Sequence, residues 1–163
     1  SNGMAAQGNN YYDMGGTVTW DWLIGLLDIP ANAYNVEHFP LSNNPSDVYF
    51  NTMIYKPAAY DNGLTLIQFR EDDNGDGNYT SGQEDLWAFE ISGGSDGWST
   101  ISKRYSDIVT LVNGAETAPI GNGLHEPDKI VKVSILFLAN PASGYSQAYL
   151  DYITFTTGGP LQP

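Results

Sequence analysis

The sequence predicts an all-β domain, an antiparallel β-sandwich of the jelly-roll kind. Three observations carry that prediction. Apolar residues recur at every second position in a series of short runs, the period of a half-buried strand. Clusters of Gly, Pro, Asn and Asp separate the runs. No segment sustains a helical period: only residues 23–27 and 106–111 hint at one, and both are short.

In chain order, residues 17–23 put Val18, Trp20 and Trp22 on one face and Thr19 and Asp21 on the other. Residues 47–56 alternate Val48, Phe50 and Ile54 against Tyr49, Asn51 and Tyr55. In residues 64–70, Thr65, Ile67 and Phe69 oppose Leu64, Leu66 and Gln68. Residues 86–91 set Trp87, Phe89 and Ile91 against Ala88 and Glu90, which makes Trp87 a core residue. Residues 130–138 are almost continuously apolar, with Lys132 and Ser134 on one face, as in a central strand. Residues 148–156 close the domain with Tyr149, Ile153 and Phe155 against Leu150 and Tyr152. Turns are expected at Pro30-Ala31-Asn32, at Asn44-Pro45, at Asn62-Gly63, across residues 93–97, and at Asn113-Gly114 and Asn122-Gly123.

A length of 163 residues fits one domain. A chain of this size buries about two-thirds of its unfolded surface. The sandwich is expected over residues 15–157. The start, Ser1-Asn2-Gly3-Met4, reads as a vector remnant, followed by a flexible linker to residue 14, and residues 158–163 read as a flexible tail. The chain has no cysteine, which removes disulfides and thiolate metal sites. Six Lys and Arg face 19 Asp and Glu, a formal net charge of −13. Such a surface repels a phosphate backbone, so nucleic acid is excluded as a partner. It also disfavours anionic polymers and anionic lipid surfaces, leaving neutral ligands. No run approaches the ~20 apolar residues of a membrane span, and none resembles a secretory signal, so direct membrane insertion is not expected. The chain reads as a monomeric module cut from a larger secreted or lipid-anchored protein, on the outer cell surface or outside the cell.

The segment Glu71-Asp72-Asp73-Asn74-Gly75-Asp76-Gly77-Asn78, running on to Glu84-Asp85, places oxygen-bearing side chains at alternate positions and then turns at Gly77. That pattern wraps hard oxygen ligands around one Ca²⁺. Asp72, Asn74 and Asp76, the carbonyl of Asn78, and Glu84 or Asp85 are the candidate ligands of a structural Ca²⁺. An EF-hand register starting at Asp72 places Gln83 where a bidentate Glu belongs, so closure falls to Glu84 or Asp85. The bland reading is a polar hairpin tip, because Asn-Gly and Asp-Gly form turns unaided.

The aromatics carry the second chemical signal. A sugar ring presents an apolar C–H face, and an indole or phenol ring offers a flat, weakly hydrated platform that loses little entropy on binding. Trp20 and Trp22, two residues apart on one strand face, would lie about 7 Å apart, close to the width of one or two pyranose rings. They are the first candidates for a glycan platform. Tyr34, Tyr55 and Tyr60 flank turns and join them as candidate rim residues, and Tyr105 shares that setting. The polar side chains Asn43, Asn44, Asp61 and Asn62 sit in loops that could border this face. Arg70 is expected in a salt bridge with the neighbouring acidic loop.

Several segments in sequence carry a family resemblance. They are Leu64-Thr65-Leu66-Ile67-Gln68-Phe69, then Glu84-Asp85-Leu86-Trp87-Ala88-Phe89-Glu90, then Asp96-Gly97-Trp98, then Pro127-Asp128-Lys129-Ile130, and last Tyr149-Leu150-Asp151-Tyr152-Ile153-Thr154-Phe155. Together, over roughly residues 47–157, they resemble the galactose-binding-like β-sandwiches that serve as carbohydrate-binding modules. The likeness is to the C-terminal domains of Bacteroidetes surface glycan-binding lipoproteins of polysaccharide utilisation loci. The resemblance implies a β-sandwich, a polysaccharide or oligosaccharide partner, a core role for Trp98 and a calcium-holding role for Asp151. The early Glu-x-Glu calcium ligands of several such families are absent before residue 37, which leaves the 72–85 loop as the metal candidate.

Catalysis is not expected. His38 and His125 are the only histidines and neither sits in a nucleophile or metal motif. Glu84 and Glu90 lie on one strand parity, with no carboxylate at the positions between that a laminarinase-type Glu-x-Asp-x-x-Glu strand requires. The sequence therefore points to a non-catalytic module recognising a neutral, β-glucan-like polysaccharide. A ligand-free structural or adhesive spacer is the alternative, and a polysaccharide-degrading enzyme the remaining one.

Overall fold

The computed structural model describes residues 5–93 and 96–162. The vector-remnant residues Ser1–Met4, part of the turn expected at 93–97, and Pro163 lie outside them. Twelve strands follow in chain order: β1 (Tyr12–Asp13), β2 (Gly16–Thr17), β3 (Leu23–Pro30), β4 (Val48–Tyr55), β5 (Gly63–Glu71), β6 (Leu86–Ile91), β7 (Trp98–Arg104), β8 (Thr110–Val112), β9 (Ala115–Thr117), β10 (Ile130–Ala139), β11 (Tyr145–Ser146) and β12 (Tyr149–Thr157). Only short 3₁₀ turns interrupt them, and no α-helix occurs among the described residues. One sheet has the order β1-β12-β4-β7 and the other β3-β10-β5-β6, all pairs antiparallel, with two small two-stranded sheets beside them, the β8–β9 hairpin and the long-range pair β2–β11. The chain passes repeatedly from one sheet to the other, the connectivity of a jelly-roll sandwich.

The predicted alternation explains the core. Thr65, Ile67, Phe69 and Glu71 of β5 are buried, while Leu64, Leu66, Gln68 and Arg70 between them are partly exposed. Phe50 packs edge-on against Phe69, Phe89 and Phe155, with ring centroids 5.1, 6.1 and 5.5 Å apart. Phe137, Ile135 and Val133 of β10 complete the central layer. As expected, Trp87 lies in this core.

Two strand expectations need correction. The run 17–23 is not a strand: pairing resumes only at Leu23, and the segment that hinted at a short helix, 23–27, forms β3 against β10. Asp21 Oδ1 accepts the Trp22 N–H at 2.6 Å, a local bond that competes with the ladder. In β12, Tyr149 faces outward beside Tyr55, while Leu150 faces the core opposite Ile54. Leu150 and Phe155 both point inward although five positions separate them, which a regular strand forbids. A bulge between Asp151 and Thr154 restores the phase, with Tyr152 left-handed at φ 55°.

The two outer faces differ in cover. The face of β1-β12-β4-β7 carries the ends of the chain. Tyr11 packs on Tyr149 at 4.9 Å and near Trp98 at 6.4 Å, and the Gln7 N–H donates to Asp151 Oδ2 at 2.8 Å. The Leu161 N–H donates to buried Asn51 Oδ1 at 3.0 Å. Among the described residues, the outer face of β3-β10-β5-β6 carries no such cover from either end, and Tyr12 touches its edge, donating to the Leu26 carbonyl on edge strand β3 at 3.1 Å.

Candidate functional site

That second outer face is a grid of cross-strand rows set by the registers of β3, β10, β5 and β6. Directly paired residues share a face. The first row is Pro30, Lys132, Arg70 and Leu86; the second is Asp28, Ser134, Gln68 and Ala88. The third is Leu26, Leu136, Leu66 and Glu90, and the fourth is Leu23, Leu138 and Leu64. Successive rows lie two residues apart, so the grid runs about 20 Å along the strands. One half is polar and the other is leucine.

Each half holds a groove. The leucine half opens into a groove of about 680 Å³ whose floor is Leu64, Leu66 and Leu138. Trp22 stands at one side of it, and the β8–β9 hairpin, through Leu111 and Asn113, walls the other. Asn113 and Gly114 make the tight hairpin turn with φ of 50° and 77°. Gln68 and Glu90 supply its polar groups. The polar half opens into a groove of about 380 Å³, which Arg70 and Lys132 share with Glu37, Asn78 and Tyr79. Arg70 does not form the salt bridge expected with the acidic loop. Its Nη1 donates to Ser134 Oγ and its Nη2 to Gln68 Oε1 at 3.1 Å, and its guanidinium lies 5.6 Å from the Tyr79 ring centre. Ser134 passes the chain on to Asp28 Oδ1, so three strands are tied by one hydrogen-bonded row.

The five aromatic candidates do not converge. Trp22, 55% exposed, lines the leucine groove, whereas Trp20, 85% exposed, is not among its lining residues. Their expected shared strand face does not exist, because both lie in the connection before β3. Tyr55 sits on the opposite, covered face, 5.6 Å from Tyr149 and 5.8 Å from Trp98. Tyr60 stands edge-on to Tyr145 at 5.1 Å. Tyr34 leans on Phe39 where the two sheets part between β3 and β12. Tyr105 is wholly buried, and Trp98 is half-buried on edge strand β7 rather than in the core. Among the polar loop residues, Asp61 pairs with buried Lys56 at 3.2 Å and Asn62 donates to the Ser143 carbonyl at 2.6 Å. Asn44 donates to Asp47 at 2.8 Å. The sequence carries part of the signal for this groove, because Leu64 and Leu66 fall on the strand face opposite Thr65, Ile67 and Phe69.

In the acidic loop, the predicted ligands divide into two groups. Asp72 Oδ1 accepts the N–H groups of Gly75 and Asp76 at 2.8 and 3.0 Å, and its Oδ2 accepts from Gly77 at 2.8 Å and His38 at 2.9 Å. Burial pushes the Asp72 carboxyl up, yet these bonds from His38 and the loop amides outweigh it and hold it below its ordinary range. Glu84 accepts from Asn74 and Thr80, Asn74 Oδ1 accepts from Asp76, and Asp76 Oδ1 accepts from Asn78. These donors are all hard oxygen, the ligand type Ca²⁺ takes, but Asp72, Asp76 and Glu84 do not come together as one cluster among the described residues. Asp72 lies instead with Glu37 and His38, their ligand atoms within 4.8 Å of one another. Asp85 belongs elsewhere: its oxygens accept the N–H groups of Gly121 and Gly123 at 2.9 and 2.7 Å. There it lies within 4.8 Å of Glu71 and Asp73 oxygens.

This second acidic group ties the loop to the core. Glu71 accepts from Trp87 Nε1 at 2.7 Å, from the Tyr105 hydroxyl at 2.8 Å and from the Glu126 N–H at 2.7 Å. Burial nevertheless wins over those bonds and raises its pKa from 4.5 to about 7. Burial likewise raises Asp73, against the N–H groups of Asn122 and Asp85. His125 stacks on Trp87 at 3.8 Å and makes a hydrogen bond to the Ile108 carbonyl, a structural use of that histidine.

No protein-family model matches the chain, and no curated protein matches it. Two solved structures are similar over most of their length. The family 11 carbohydrate-binding module from Clostridium thermocellum, in complex with a β-1,3-1,4-mixed-linked tetrasaccharide, aligns with a TM-score of 0.50 at 13% identity, covering 94% of this chain and 91% of that one. The family 11 module of the cellulosomal cellulase Lic26A-Cel5E of Clostridium thermocellum aligns with a TM-score of 0.49 at the same identity and coverage. At this identity the likeness shows the fold: this chain is an antiparallel β-sandwich of the kind found in that module.

Proposed function

We propose that this domain is a non-catalytic carbohydrate-binding module that takes a neutral, β-glucan-like chain on the outer face of β3-β10-β5-β6. One observation carries the reading: two grooves lie end to end on a single uncovered sheet face, with Trp22 at one end and Arg70, Gln68 and Ser134 in the polar half. Such a face offers an apolar surface for sugar C–H groups and hydrogen-bonding side chains for hydroxyls. The fold is shared with a module whose structure holds a β-1,3-1,4-mixed-linked tetrasaccharide, which supports the same direction. The net charge of −13 favours neutral over anionic chains.

The same reading includes a structural Ca²⁺ held by Asp72, Asn74, Asp76, Glu84 and the Asn78 carbonyl. Bound there, the ion would supply the counter-charge that the acidic loop lacks. The reading also places the domain, as a monomeric module, in a larger secreted or surface-anchored glycan-binding protein. Affinity electrophoresis against laminarin, xyloglucan, alginate and carrageenan tests the ligand class. Retardation by the neutral pair is expected, and selective retardation by the anionic pair in the absence of added calcium contradicts it.

A further inference from the structure

The leucine half of the binding face is built for something other than bare hydroxyls. Leu64, Leu66 and Leu138 form the groove floor, Leu136 and Leu26 extend it across β10 and β3, and Leu111 stands in the wall. Among the described residues, Trp22 is the one aromatic that lines this groove, and it comes from the connection before β3 rather than from the sheet itself. A bare sugar can lay its C–H face on these leucines, but any hydroxyl turned toward them gives up its water bonds without gaining a partner. An ester changes that balance. It replaces the hydroxyl donor with a carbonyl acceptor and a methyl group, so the methyl can lie on the leucines while the carbonyl reaches a donor at the rim.

The rim has such donors. Asn113 carries a side-chain amide, and Gln68 gives its Oε1 to Arg70, which leaves its amide nitrogen to donate. The charge pattern restricts the substituent further. Glu90 lines the groove and, among the described residues, no cation does, so a carboxylate or sulfate group is repelled where a neutral ester is not.

We infer that the leucine groove recognises O-acylated residues, of the acetyl-ester type, on a neutral β-linked glycan. This rests on the carbohydrate-binding reading above and specifies what that site selects. A buried methyl group adds about fourfold to affinity, so a chain carrying several acetyl groups is preferred over its deacetylated form by at least that factor.

The test is calorimetric titration with an O-acetylated glucomannan and with the same polymer after mild alkaline deacetylation. About fourfold or tighter binding of the acetylated form is expected. Leu66→Asn, a change on the outer face that leaves the core intact, should abolish the preference while residual binding persists. Equal affinity for the two forms overturns the inference and leaves the carbohydrate-binding reading standing. Binding of neither form, nor of mixed-linked β-glucan oligosaccharides, overturns both. Sedimentation showing a dimer that Leu66→Asn dissociates overturns the inference too, because the face is then occupied by a second copy.

Discussion

The backbone carbonyl of Trp22 accepts a hydrogen bond from the Ala139 N–H at 2.8 Å. That bond fastens an otherwise irregular segment to the end of β10 and sets the indole beside Leu138 and Leu64. Because the main chain makes the bond, the side chain can be exchanged without releasing the segment. Trp22→Phe should therefore fold normally. If the glycan seats against the indole, the wild type's intrinsic tryptophan emission shifts on adding glycan, and most of that shift is absent in Trp22→Phe. A full shift in the variant would place the contact at another tryptophan.

Chelation tests the loop. An ion held only by the folded state stabilises it by mass action, and at saturating Ca²⁺ the melting temperature should fall by about 5 °C or more on adding EDTA. The change should be absent in an Asp72→Ala/Asp76→Ala double variant. Identical melts with and without EDTA would make the loop a turn closed by its own amides.

The pH dependence follows from Glu71. Its pKa is raised from 4.5 to about 7 in the folded state, so the folded chain holds a proton that the unfolded chain has released. The stability it contributes is complete below about pH 4.5 and is lost as pH rises through 7. In EDTA, melts should move to lower temperature between pH 5 and pH 8, with an upper bound of about 3 kcal/mol from this group. Asp72, held below its ordinary value, acts in the opposite sense but in a more acidic window, its contribution falling away as it protonates. Glu71→Gln, which fixes the neutral form, should flatten the slope between pH 5 and pH 8; an unchanged slope would assign it to another group.

Gly121 is irreplaceable on steric grounds. A Cβ there would lie 1.8 Å from Asp73 Oδ2 and 2.6 Å from the Asp85 backbone nitrogen. Backbone cannot yield as a side-chain tip can, so Gly121→Ala should cost about 2–4 kcal/mol, read as a lower denaturant midpoint. Gly159→Ala, with open space around its Cβ position, is the control and should be neutral.

Much of the fold was legible in the chain, because residues 47–56, 64–70 and 86–91 alternate, residues 130–138 form a continuous apolar run, and each became a strand. Where the reading failed, a local competitor was at work. Asp21 bonds the Trp22 amide and removes that stretch from the ladder, and the apolar string Leu23-Ile24-Gly25-Leu26-Leu27 pairs with β10 instead of coiling. Tyr55 and Trp22 look equivalent in sequence, yet the register of β4 sends Tyr55 to one outer face while the Ala139 bond holds Trp22 beside the other, and only long-range pairing decides which face the chain ends cover. The leucine grid was half legible: Leu64 and Leu66 fall on the face opposite Thr65, Ile67 and Phe69, but the continuous apolar run at 130–138 gave no sign that Leu136 and Leu138 share that outer face. Asp85 was assigned to the wrong carboxylate group, since the Gly121–Gly123 amides that hold it lie 36 and 38 positions away.

A glycan is expected to bind the face of β3-β10-β5-β6 and not its opposite. Calorimetric titration of a mixed-linked β-glucan tetrasaccharide into the wild type, Trp22→Ala and Tyr55→Ala decides it. Binding to the wild type, about tenfold or greater loss in Trp22→Ala, and wild-type affinity in Tyr55→Ala are expected. Loss confined to Tyr55→Ala, or no heat of binding to the wild type, would contradict it.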